Sequence, residues 1–160
     1  MSLSAVMGYV KSELNGLTSA HYQPATAWIQ PPTPGDADPG SPQLFIWTER
    51  YHEKRRSMPR GMGLKDGDHA VQVYVLVIDD PSDANADTAF PNLLNSIMET
   101  LRTVALPVAL TDADTGATSN IVLIGEDFDV QTDAIRSVGD ERYVRYLAVI
   151  TVKVLEMWNA

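Results

Sequence analysis

The chain has 160 residues, a formal net charge of -9 and no cysteine. That length suits a single domain whose core needs no disulfide or metal staple, and the acidic balance argues against broad nucleic-acid binding, because neutralising phosphates takes a basic surface; no specific nucleic-acid partner is expected. The lack of cysteine removes disulfides, thiolate metal sites and cysteine nucleophiles together.

Leu3, Val6, Met7, Val10, Leu14 and Leu17 fall at helical spacing, with Ser2 placed to cap the start and Asn15-Gly16 placed to stop the helix. The N-terminus carries only Lys11 as an early positive charge, and no window approaches the ~20 apolar residues of a membrane-spanning helix. A soluble protein, used without secretion and with no membrane partner, is the expectation. Between 21 and 43 the character changes. Pro24, Pro31, Pro32, Pro34, Pro39 and Pro42, with Gly35 and Gly40, prevent regular structure over most of the segment, and only a short extended piece at Ala27 to Ile29 survives. Connections this long are uncommon in compact domains. The segment is either an interaction arm or a surface loop pinned by Trp28 and Ile29.

Gln43 to Arg50 reads as a strand, with Leu44, Ile46 and Thr48 opposite Phe45, Trp47 and Glu49. His69 to Ile78 reads as a second, in which Val71, Val73, Val75 and Val77 form a β-branched stripe. One polar connection joins them, so an antiparallel hairpin is expected, with Gly61, Gly63 and Asp66-Gly67 supplying the turn. Arg50, Lys54, Arg55, Arg56, Arg60 and Lys65 put half of the lysines and arginines into the tip at 50–67, with Glu53 as the only acid among them. Met58 and Met62 add adaptable apolar contacts. A solvated tip and a partner site both fit. As a partner site it suits docking on an acidic protein surface more simply than nucleic acid.

Asp79, Asp80, Pro81, Asp83 and Asp87 read as an acidic loop, followed by an amphipathic helix marked by Phe90, Leu93, Leu94, Ile97, Met98, Leu101 and Val104. Asp87 or Thr88 would cap it, Pro91 would fall in its first turn, and Pro107 would end it. Val108 to Leu110 suits a short strand, Asp112 to Gly116 a turn and Asn120 to Ile124 another strand, while the polar run Gly125 to Asp140 reads as a loop. In the final stretch, Arg142 to Trp158, the residues Tyr146, Ala148, Ile150, Val152 and Val154 share one strand face and must be core. The other face mixes Arg145, Thr151 and Lys153 with Leu147, Val149, Leu155 and Met157, and so is expected to meet another surface. These elements predict an α+β domain: a mixed, mainly antiparallel sheet of about four to five strands packed against two α-helices.

No catalytic constellation emerges. His21, His52 and His69 lack the close spacing of metal ligands, and Asp112, Asp114 and Gly116 depart from a calcium loop at Thr115 and lack its closing glutamate. Glu126, Asp127 and Asp129 offer carboxylates without a nucleophile or an oxyanion donor nearby, and no phosphate-cradling or dinucleotide motif is present. No enzyme activity, cofactor or metal is therefore expected.

The order of elements, with Leu44-Phe45-Ile46-Trp47-Thr48-Glu49 opening the hairpin and Tyr146-Leu147-Ala148-Val149-Ile150-Thr151-Val152 near the end, resembles tail-terminator proteins of long-tailed bacteriophages. The Pro-rich segment is longer than such a fold strictly needs. The resemblance implies a structural virion protein of the tail or neck, assembled in the bacterial host cytoplasm. Its partners would be further copies of itself in a ring, typically a hexamer, then the tail tube protein whose polymerisation it ends, and the head–tail connector. On that expectation Arg55, Arg56 and Arg60 dock onto an adjacent subunit or the tube end. Another neck protein, such as a head-closure or head-to-tail adaptor, and more distantly a small-ligand-binding regulatory domain, are the alternatives.

Overall fold

Among the described residues two helices and six strands follow one another as α1 (Leu3–Leu14), β1 (Thr26–Trp28), β2 (Gln43–Arg56), β3 (Leu64–Asp79), α2 (Ala86–Arg102), β4 (Val108–Thr111), β5 (Thr118–Arg136) and β6 (Val144–Asn159). The computed structural model describes residues 3–29, 40–56, 63–79, 86–136 and 144–159, so Ser2 and residues 30–39 of the Pro-rich connection lie outside the described residues. The strands form a single six-stranded sheet in the order β1-β2-β3-β6-β5-β4. Only β1 with β2 is parallel, and every other pairing is antiparallel. The α+β class holds, with six strands in place of the four or five expected.

The valine stripe of β3 lies directly opposite the stripe of β6: Val71 faces Val152, Val73 faces Ile150, Val75 faces Ala148 and Val77 faces Tyr146. On β2, Leu44 and Ile46 continue the same face. Onto it pack Val6, Val10 and Leu14 of α1 and Phe90, Leu93, Leu94, Ile97 and Leu101 of α2, making one continuous core. Both helices therefore cover the same face, called inner here. Each fully buried aliphatic side chain in this layer contributes about 1.5–3 kcal/mol. On the outer face Leu76 and Ile78 form a small separate cluster with Leu147, and the mixed row of β6 is half-buried except for the exposed Lys153.

Several local expectations hold. The first helix stops at Asn15-Gly16, where Gly16 takes φ +79° and the Asn15 side chain accepts a hydrogen bond from the Ala27 amide at 3.0 Å. The Asp112 to Gly116 turn is held by Asp112 Oδ1, which accepts from the amides of Asp114 and Thr115 at 2.8 and 3.1 Å.

Other expectations need correction. The polar run from Gly125 is a strand where a loop is expected: β5 runs on through Arg136 and pairs with β6 along most of its length. Its polarity reflects a strand with an exposed edge, whose Phe128 and Val130 still pack on the core. Asp66-Gly67 is not a turn but lies within β3, opposite Lys54 and Glu53. Gly67 is there because a Cβ would come within 2.8 Å of the Tyr51 ring and 3.0 Å of Trp158. Trp28 and Ile29 do not pin the connection, being 47% and 38% exposed. Tyr22, Ala25 and Ala27 are buried in their place. Asp79 ends β3 and is buried, accepting a hydrogen bond from the Tyr22 hydroxyl at 2.9 Å. Because α2 begins at Ala86, Pro91 sits one turn further in than expected.

Candidate functional site

Among its described residues the basic segment is a ladder, not a loop. After a register shift between Thr48 and Arg50, β2 continues against β3, pairing Arg50 with Ala70, Lys54 with Asp66, Arg55 with Lys65 and Arg56 with Leu64. The extra residue of this bulge swaps the faces of everything that follows. Before it, even-numbered Leu44, Ile46 and Thr48 sit on the inner face. Beyond it Arg50, His52, Lys54 and Arg56 form one row on the outer face, and Tyr51, Glu53 and Arg55 lie on the inner side. Arg55 and Arg56 thus point to opposite sides of the sheet and cannot act on one flat surface. Met58, Arg60 and Met62 lie outside the described residues.

Two of the basic residues are held within the chain. The Arg56 guanidinium pairs with Asp66, and Lys65 Nζ lies 2.8 Å from Glu53 Oε1. Glu53 also accepts a hydrogen bond from the Tyr51 hydroxyl at 3.3 Å. The hydrogen bond from Lys65 holds the Glu53 carboxyl below its ordinary range, while burial, reinforced by the negative charge of Glu53, pushes the Tyr51 phenol up. Arg50, Lys54 and Arg55 are exposed and have no ion pair among the described residues.

A buried polar pair was missed by the scattered-histidine reading. His69 Nε2 lies 2.8 Å from Glu156 Oε2, and both side chains are fully enclosed. His69 continues the odd-numbered stripe of Val71 to Val77, and Glu156 continues the even-numbered stripe of Val152 and Val154. A titratable residue extending an apolar stripe was the available signal. His69 Nδ1 and Glu156 Oε1 have no hydrogen-bond partner, so the pair is a structural contact with capacity left over. Tyr51 lies against the imidazole, with ring centroids 4.7 Å apart.

The far side of the sheet carries the opposite charge. Of the carboxylates weighed for acid-base chemistry, Glu126 and Asp127 are exposed where β5 is irregular, between Ile124 and Phe128, and Asp129 is exposed just beyond it. Gly125 allows this turn of the strand with φ +73°. Asp129 stands opposite Thr151, hence on the outer face. Asp127 and Asp129 line an open cleft of about 390 Å³ on that face together with Arg50, Asp68 and Lys153. Among the described residues no group of three or more metal-ligating side chains converges. No protein-family model matches the chain, and no curated protein matches it.

Proposed function

We propose that this protein is a structural subunit of a closed ring, acting as a tail terminator that caps the tail tube of a long-tailed bacteriophage and presents the surface joining tail to head. The observation that carries the reading is the sheet itself. Strands as long as 19 residues are left without a described partner along most of both outer edges, because β1 covers β2 only at Gln43–Phe45 and β4 covers β5 only over Thr118–Ile121. Long open edges invite pairing with another chain, and natural proteins cover or disrupt them unless they are used. Two different edges on one subunit favour head-to-tail association, which closes into a ring when the rotation permits. The exposed, unpaired Arg50, Lys54 and Arg55 then serve contacts between chains. Arg56, expected to dock together with Arg55, is held within the chain by Asp66, so it is left out of this set.

Light scattering after size exclusion, over a concentration series and followed by negative-stain imaging, tests the ring. Addition to polymerising tube protein tests the cap. A closed ring of about six subunits that halts tube growth supports the reading. A protein that remains monomeric both alone and at tube ends defeats it. A ring that binds the portal side and ignores tubes makes it an adaptor.

A further inference from the structure

The two open edges differ in more than sequence position, and their differences match. Along 46–56 of β2 stand Arg50, Lys54, Arg55 and Arg56 against Glu49 and Glu53. Along 122–136 of β5 stand Glu126, Asp127, Asp129 and Asp133 against Arg136 alone. The bulge at Thr48/Arg50 puts Arg50, Lys54 and Arg56 on the outer face, and the β5–β6 register puts Asp129 and Asp133 on that same face. Without the bulge the cations would fall on the side opposite to the carboxylates.

Strand direction matches as well. From β2 through β3 and β6 to β5 each step is antiparallel, so β5 runs against β2. When a second copy continues the sheet in the same sense, its β2 meets the first copy's β5 as an antiparallel neighbour, and the helix-free faces stay on one side. The obstructions match too. β1 flanks the start of β2 and β4 flanks the start of β5, which are opposite ends of the sheet. The edges therefore form a lap joint, with each copy displaced along the strands. Closing a sheet into a ring requires such a stagger.

We infer that the basic edge of β2 pairs with the acidic edge of β5 in a second copy of this chain, forming an antiparallel ladder in which the outer-face row carrying Arg50 and Lys54 lies along the outer-face row carrying Asp127 and Asp129. The occupant is a second copy because one molecule carries both complementary edges. Charge then gives polarity to the assembly: β2 with β2 would oppose like charges, as would β5 with β5, leaving head-to-tail pairing favoured. This inference rests on the ring reading and specifies its interface.

Charge reversal tests it on the full chain. Arg50, Lys54, Asp127 and Asp129 are exposed, so the variants fold, as circular dichroism would check. Arg50→Glu with Lys54→Glu in one variant, and Asp127→Lys with Asp129→Lys in another, each abolish self-assembly. Mixed one to one, the two variants form rings again, because reversed β2 meets reversed β5 and the native edges meet each other. Hydrogen exchange at the amides of 50–56 and 127–133 slows when the wild-type ring forms. Rings that survive either reversal, or a mixture that fails to restore them, overturn the edge pairing while leaving the ring reading intact. Amides unprotected in the ring do the same. A wild type that never forms rings removes the ring reading first, and this inference with it.

Discussion

The inner face of the sheet is two different materials along its length. Under the helices it is aliphatic, with Val71, Val73, Ile150 and Val152 closed against Ile97 and the rest of the core. Past the bulge, the same face carries His69 and Glu156, then Tyr51 beside His69, and Glu53 with Lys65. The first region is held by area removed from water, which tolerates exchange among side chains of similar volume. The second rests on the enclosed pair of His69 with Glu156, where a polar group left alone is costly, and on the partly exposed pair of Glu53 with Lys65, which contributes less. The lesson is that this sheet outgrows its helices. Its far end is stabilised by polar contacts and short-range fit.

Breaking the pair should have the largest effect. His69→Leu leaves the Glu156 carboxylate enclosed without its partner and should lower unfolding free energy by about 3–5 kcal/mol in denaturant titration. The double variant His69→Leu, Glu156→Leu should recover most of that loss, and if it does not, the polar pair is more than a satisfied contact. In the aliphatic region Ile150→Ala should cost about 2–5 kcal/mol, with no such rescue from a second apolar exchange. Gly67→Ala sharpens the comparison further. Its new methyl meets the Tyr51 and Trp158 rings at 2.8 and 3.0 Å, and overpacking of this kind costs about 1–3 kcal/mol.

The smallest effect is pH-dependent. Glu53 has a folded-state carboxyl held below its ordinary value of 4.5, chiefly by the hydrogen bond from Lys65, so it stabilises the fold above that pH and loses the contribution as pH falls through the lowered value. Wild type should therefore exceed Glu53→Gln in melting temperature near neutral pH, and the two curves should converge in acid. Curves that stay parallel would show that Glu53 with Lys65 contributes nothing through its charge.

How legible all this was depended on periodicity. The valine stripe of β3 and the terminal stripe of β6 were readable because a two-residue period on a half-buried strand leaves little alternative. The helical spacing of Leu93, Ile97 and Leu101 was equally plain. Beyond these, polarity misled. Residues 125–136 looked like a loop because a strand with an exposed edge has no need of apolar residues on both faces, and 50–56 looked like a hairpin tip for the same reason. Asp66-Gly67 is a common turn pair whose glycine here makes room for two aromatic rings. The basic residues were recognised individually, but their division between two faces was not, since it follows from one bulge residue.

By itself the sequence determined the elements whose side chains repeat with the period of their backbone: both helices, the central strands and the α+β class. Those patterns report local geometry, and local geometry needs no knowledge of a neighbour. Tertiary structure alone decided the order of the strands, the bulge that carries Arg50, Lys54 and Arg56 to the outer face, the meeting of His69 with Glu156, and the separation of a basic edge from an acidic one. Each depends on which strand lies beside which and in what register. Pairing between residues as distant in the chain as His69 and Glu156 is set by the packing of the whole sheet, which no single stretch of sequence contains.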